Sequence, residues 1–275
     1  MNECFGKYYI LNGKLMTNET FDNSLIYEGE SVYEVLKCVG GLPVFFSDHM
    51  ERFHRSVNVV NRPMLSETEA IRVDILKLTG VDGRAMINIK IVFNYNNGRS
   101  DALLYYLEPH YPTDRQYRSG VKGILFRAER KDPESKVIDM QLRSEINRKL
   151  EQENSYETLL VNRDNLITEG SRTNIFFVKD NRLYTAPEKM ILSGITRKHI
   201  LEICKENDVP VTFECVKADE IDQFDSVFIT GTSPVVLPFS LIDDVRFSID
   251  HPFLKLMMDQ YQLKAELSMK QFSGK

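Results

Sequence analysis

With 275 residues, 42% of them hydrophobic and 27% charged, the chain has the balance of a soluble globular protein and the length to bury a core in two ordinary domains. A net charge of -5 argues against a nucleic-acid partner, which needs Lys and Arg clustered in excess. The opening MNECFGKYYILNGK lacks a signal peptide's apolar run and no stretch reaches membrane-span length, so a cytoplasmic protein with no membrane partner is expected.

Tyr8 to Met16 reads as a hairpin around Asn12-Gly13, a dipeptide suited to a tight mirror-type turn. Tyr33–Val39 and Leu42–Phe46 bracket Gly40-Gly41 as a second hairpin, so an antiparallel sheet is expected. Ser47 or Asp48 then caps a helix with Phe53, Val57 and Val60 on one face. Ser66 and Glu69 suggest a capping box for a helix carrying Ile71, Ile75 and Leu78. Ala85–Phe93 and Asp101–Leu107 form a strand pair split by Asn96-Asn97-Gly98. These elements make an N-terminal domain, 1–110.

Residues 111–120 fall in a polar, proline-containing stretch and are read as the interdomain linker, with 121–275 as the C-terminal domain. Strands are expected at Val121–Arg127, Tyr156–Val161, Asn174–Lys179, Arg182–Thr185, Val209–Cys215 and Asp225–Thr230. Leu142, Ile146 and Leu150 mark a helix face, and further helices are expected near Ile195–Lys205 and Phe253–Leu263. Cys4, Cys38, Cys204 and Cys215 lie far apart with no C-x-x-C pair, which argues against a disulfide framework or zinc ribbon. His49, His54, His110, His199 and His251 show no metal-ligand spacing and read as surface or capping residues, so no metal is expected.

Three junctions in the second half concentrate glycine and small hydroxyl residues: ITEGSRTNIFFV at 167–178, LSGITR at 192–197 and FITGTSPVVLP at 228–238. Such junctions expose backbone N–H groups. Ile195 and Thr196 would open a helix, whose N-terminus favours a phosphate, and Gly231-Thr232-Ser233 could form a second anion cradle.

The order Lys136, EGSRTN, LSGITR and GTS, preceded by VYEVLK at 32–37 and DHMERF at 48–53, resembles the fold type IV pyridoxal-phosphate enzymes. That group, aminotransferase class IV, contains branched-chain and D-amino-acid aminotransferases and aminodeoxychorismate lyases. The resemblance spans roughly residues 25 to 240. It implies a two-domain α+β fold with antiparallel and mixed sheets, and pyridoxal 5'-phosphate as cofactor.

The resemblance also implies residue roles. Lys136 carries the cofactor as an imine and moves the α-proton, and it precedes Glu169 by 33 residues (169 minus 136), with Lys131 and Lys149 as competitors. Glu169 bonds the pyridine nitrogen, while Arg52, Ile195, Thr196 and Thr232 hold the phosphate, Leu192 lines the cofactor, and Tyr33 faces the substrate. Expected partners are an amino donor and a 2-oxo acid acceptor.

The residues after Lys136, VIDMQLR, depart from the family pattern, and INIKIVFNYN at 87–96 lacks the arginine and histidine of D-amino-acid enzymes. Asn88 and Lys90 are candidate substitutes in holding the substrate carboxylate. Transamination stands first; pyruvate elimination from aminodeoxychorismate and cofactor binding without turnover are the alternatives. A homodimer is expected too, both from the resemblance and because Phe45, Phe46, Phe53, Tyr105 and Tyr106 give a small sheet more apolar surface than one helical layer covers.

Overall fold

The computed structural model describes residues 2–130, 136, 137 and 139–274. The chain divides into two compact units, one of Met1–His110, Ser135–Ile138 and Ala265–Lys275, the other of Tyr111–Glu134 and Asp139–Lys264. It therefore returns to the first unit twice after leaving it at residue 111.

In the first unit β1 (Phe5–Leu11) and β2 (Lys14–Thr17) form a hairpin across Asn12 and Gly13, whose φ angles of 50° and 76° suit a mirror-type turn. α1 (Ser24–Tyr27), β3 (Glu30–Val39) and a two-residue β4 (Leu42–Pro43) follow. The second arm of that hairpin stops short of Phe46. Phe45 turns left-handed at φ 52° and is the N-cap of α2 (Phe46–Val59), which starts immediately, so Ser47 and Asp48 fall inside its first turn and not at the cap position. The Phe45 N–H donates instead to Ser268 Oγ at 3.0 Å. α3 (Thr68–Asp82) is capped by the extended Glu67 without a side-chain bond; Ser66 stands one residue too early for the expected box. β5 (Met86–Asn96) and β6 (Arg99–Leu107) complete the sheet, in order β2-β1-β6-β5-β3-β4.

Both faces of this sheet are covered. Val32, Leu36, Ile89, Ile91 and Phe93 pack under Met50, Phe53 and Val57 of α2 and Ile71, Ile75 and Leu78 of α3. Tyr9, Val92, Leu103 and Tyr105, on the opposite face, lie under Cys4, Phe21, Leu25 and Ile26. The apolar excess expected from Phe45, Phe46, Phe53, Tyr105 and Tyr106 is consequently absorbed within the unit, where all five are buried.

The second unit opens with α4 (Asp114–Ser119), a short helix in the stretch expected to be linker. A Thr113–Gln116 capping box holds it, and its polar six residues give no apolar period to read. Then come β7 (Val121–Arg127), α5 (Met140–Gln152), β8 (Glu157–Val161), β9 (Leu166–Gly170), β10 (Asn174–Lys179) and β11 (Arg182–Thr185). α6 (Ile195–Glu206), β12 (Val211–Phe213), β13 (Val216–Lys217), β14 (Ser226–Gly231), β15 (Val235–Ile242) and β16 (Val245–Arg246) follow.

The strand order is β12-β11-β10-β14-β15-β7-β8-β9-β13, with β16 on β15. Val121, Leu159, Ile167, Ile175, Val227 and Leu237, from six strands, meet in one cluster, so the sheet curls around its own core. Ile146 and Leu150 of α5 pack outside it on Ile124 and Leu160. α7 (Pro252–Ser273) continues well past the expected end at Leu263, because Phe272 is recruited into the core of the first unit against Phe46. No helix among the described residues is long and apolar enough to cross a membrane.

Candidate active site

β3 presents alternate faces, and its inward row of Val32, Glu34, Leu36 and Cys38 contains one charged residue. Glu34 is fully buried. Arg52 donates to it twice, Nε to Oε2 at 2.8 Å and Nη2 to Oε1 at 2.6 Å. His49 Nδ1 lies 3.2 Å from Oε1, and Lys136 Nζ lies 3.9 Å from the same oxygen. His49 and Arg52 reach one carboxylate because they stand three positions apart on α2, which places both on its inner face. His49, read from the sequence as a surface or capping residue, is thus buried beside a charge, and His199 is buried as well.

Lys136 is fixed by its backbone. Its carbonyl accepts from Tyr33 N–H at 3.1 Å, its N–H donates to Ser56 Oγ at 3.3 Å, and Val137 bridges Val32 at the open edge of β3. Lys136 Nζ stands 5.3 Å from the Tyr33 ring centroid, and Lys90 Nζ 4.9 Å from it. Asn88 and Lys90 do share the sheet face of Tyr33, but Lys90 is buried and paired with Glu3 at 2.7 Å. Its charge is therefore met within the protein. Of the competing lysines, Lys149 lies in α5 bonded to Glu153 at 2.8 Å, and Lys131 lies outside the described residues.

In the second unit Glu169 is buried at the end of β9, with donors from several elements on its carboxylate. Leu192 N–H donates to Oε2 at 3.1 Å, Asn174 Nδ2 to Oε2 at 3.4 Å, and Arg130 Nη1 to Oε1 at 3.2 Å. Asn174 also donates to Leu192 O at 2.8 Å, so Leu192 is tied to Glu169 from both its N–H and its carbonyl. The hydroxyls of the following EGSRTN turn bind a carboxylate of the chain itself. Ser171 Oγ donates at 2.6 Å and Thr173 Oγ1 at 3.0 Å to the buried carboxylate of Glu157, as does Ser171 N–H at 3.1 Å. The anion at this turn is the chain's own.

α6 begins after Gly194, with no side-chain cap, so the first-turn N–H groups at Ile195 and Thr196 have no intrahelical partner. Both residues are buried, and Thr196 Oγ1 lies 3.4 Å from Tyr261 Oη. β14 and β15 are joined through Thr232, Ser233 and Pro234, with Val235 at φ 57°, and Tyr117 Oη donates to Pro234 O at 2.9 Å. Arg197, buried behind the helix start, donates to Ala186 O at 2.9 Å. Sequence reading missed Glu34, His49, Glu157, Tyr117 and Tyr261. A lone acid on the inward row of an otherwise apolar strand was the available signal for Glu34; the others have none.

The family profile for amino-transferase class IV matches residues 31–242. The chain belongs to that family. It is 26% identical over 251 residues to a D-alanine aminotransferase of Bacillus licheniformis, covering 85% of this chain and 88% of that one. It is 28% identical over 282 residues to a Rickettsia bellii chain described as a probable branched-chain-amino-acid aminotransferase, covering 92% and 94%. Among solved structures, the branched-chain aminotransferase of the archaeon Thermoproteus uzoniensis with norvaline superposes with a TM-score of 0.83 at 20% identity over 96% of each chain. The α+β fold is thus the one the sequence resembles.

Class IV aminotransferases use pyridoxal phosphate, and the residues present fit that group. The first unit holds an amine beside an aromatic ring; the second holds a buried carboxylate and an open helix N-terminus. Thr230, which pairs in register with Asn174 across β14 and β10, has its Oγ1 buried with no hydrogen-bond partner among the described residues. A hydroxyl left in that state costs about 1–3 kcal/mol unless a ligand satisfies it.

Proposed function

We propose that this chain transfers an amino group between an amino acid and a 2-oxo acid, with Lys136 as the cofactor lysine. The observation that carries the reading is the setting of Lys136 Nζ, 3.9 Å from the buried Glu34 carboxylate and beside the Tyr33 ring. Held covalently through a lysine, the pyridoxal ring supplies an electron sink for the pair left when the substrate α-proton departs.

Lys136 would then be the base that moves that proton at its Nζ. Glu169 holds the ring nitrogen's proton, and its orientation by Leu192, Asn174 and Arg130 supports that role. Ile195 and Thr196 grip the phosphate by backbone N–H groups and Thr232 by its hydroxyl, with Arg52 adding positive charge. Tyr33 orients the substrate. The chain works in the cytoplasm as a homodimer, a reading supported by family resemblance and by exposed Val73, Leu76 and Val81 on α3.

Borohydride reduction of the cofactor-loaded protein, followed by peptide mapping, should label Lys136, and Lys136→Ala should abolish the label. A label on Lys131 or Lys149 sinks the assignment. Adding D-alanine or a branched-chain L-amino acid should convert the cofactor's visible band to that of its aminated form. Release of pyruvate from aminodeoxychorismate without that conversion would establish the lyase reading, and no response to any amine would leave a binding protein without turnover.

A further inference from the structure

Burying an ion pair is expensive, because each ion gives up its hydration, and an apolar pair of similar volume often serves stability as well. Glu34 nonetheless sits in an otherwise apolar row, wholly buried, with two N–H groups of Arg52 on its oxygens and the Val35 N–H on Oε1 at 2.7 Å. The charged and titratable groups facing it are Arg52 and His49 from α2 and Lys136 from the segment bridged to β3; the Tyr33 ring, on the other face of β3, lies against Lys136 Nζ and against Lys90, which is already paired to Glu3. Burial disfavours charge on His49, so the cluster holds one carboxylate against one guanidinium and one lysine. With Lys136 charged it carries one excess positive charge; with the amine neutral it balances.

We propose that Glu34 is a positioning residue, the buried counter-ion shared by Arg52 and Lys136, which fixes the guanidinium and holds the lysine amine in its charged form until an aldehyde arrives. The attachment step is then a proton handover. The ammonium gives its proton to solvent, the neutral amine nitrogen adds to the aldehyde carbon, a carbon–nitrogen double bond forms and water leaves. Loss of the lysine charge leaves Glu34 and Arg52 as a neutral pair, so the cluster is electrostatically simpler after attachment than before. Glu34 thereby sets the pH at which Lys136 becomes reactive, acting through the lysine without touching substrate. This rests on the reading of Lys136 as the cofactor lysine.

The test uses pyridoxal, which lacks the phosphate, so that changes in phosphate grip do not enter. Attachment to the cofactor-free protein is followed by absorbance and by borohydride trapping with peptide mapping at Lys136, across a range of pH from acid to alkaline. An opposite charge within about 4–6 Å shifts a titration by roughly 1–3 units. Glu34→Gln should therefore move the acid limb of the attachment rate to lower pH by about one unit, a roughly tenfold faster attachment at acid pH. Arg52→Met should move it the other way, since Lys136 becomes the main cation on Glu34. If Glu34→Gln does not fold, the double variant Glu34→Met with Arg52→Met keeps an apolar pair in place and should attach pyridoxal at lower pH than Arg52→Met alone. An acid limb that stays put in folded Glu34→Gln, or that does not differ between Arg52→Met and the double variant, overturns the proposal. Failure of the unsubstituted protein to label Lys136 at any pH overturns instead the functional reading beneath it.

Discussion

Burial alone would push the Glu34 carboxyl up, but Arg52, Lys136 and His49 together outweigh it and hold it well below the usual carboxylate value of 4.5. Such a group contributes its stability in full above pH 4.5 and loses it as pH falls through the lower folded value. His49 acts earlier. Burial, aided by Arg52 and Lys136 against the pull of Glu34, lowers it from 6.5, so the unfolded chain takes up the proton first and stability declines as pH drops below 6.5. Urea denaturation across pH should show both declines, and His49→Asn should remove the earlier one; an unchanged profile in that variant places the titrating group elsewhere. Arg52→Ala should cost about 3–5 kcal/mol by the same measurement, because it leaves a buried carboxylate short of its main partner. A loss near zero would mean that water or Lys136 replaces Arg52 at no cost. At this scale the sequence singled out Lys136, Tyr33, Glu169 and Leu192 one by one, and their neighbours, the Tyr33 ring by Lys136 and the Leu192 N–H on Glu169, come from the fold. His49 gave no such signal, and for Glu34 the one signal was its place on an apolar row, which names no partner until α2 is in view.

Elements were legible wherever periodicity extends over several residues: β10 and β11 have the expected ends, and β5 and β6 flank the expected turn. The failures are at caps. α2 starts on a left-handed Phe45, whose N–H donates to Ser268 Oγ, and α3 on Glu67; neither N-cap residue caps its helix with its own side chain. α6 shows what a cap without a side chain achieves. At φ -72° Gly194 needs no special backbone freedom, yet a Cβ there would collide with Asn174 Oδ1. Glycine is required for space. Asn174 joins Leu192 O to Glu169, so Gly194→Ala should displace it and disturb Glu169 while leaving the α6 backbone able to form. Cofactor affinity should fall by roughly tenfold or more, the equivalent of about one hydrogen bond to a charged group. The far-ultraviolet circular dichroism should stay unchanged. Equal affinity in the two proteins would show that Asn174 can move without consequence for the cofactor.

Assembly belongs to the whole molecule, and its physical basis differs from the one that composition suggested. The aromatic residues of the small sheet are consumed by its own two cores, so they offer nothing to a partner. Among the described residues, the exposed large apolar side chains of the first unit include Val73, Leu76 and Val81 on α3, Val59 at the end of α2, Met86 at the start of β5, Tyr27 in α1 and Leu267 in α7. Val73 and Leu76 are one turn apart and Val81 lies eight residues beyond Val73, so the three share a side of α3. Scattered exposed aliphatics are ordinary, but three along one helix form a row that a two-fold contact could cover. Each copy carries a net charge of -5, so association opposes a long-range repulsion that salt screens within about 10 Å at 0.1 M. Sedimentation at micromolar concentration should therefore find a dimer whose dissociation constant falls as sodium chloride rises. Leu76→Glu with Val73→Glu should shift the protein towards monomer with its fold intact, because neither side chain belongs to the buried core. A double variant that remains as dimeric as the unsubstituted protein would move the interface off α3. A monomer that keeps its cofactor and turns over an amino donor would remove the dimer from the mechanism, and the groups closing the substrate site would then all have to come from one chain.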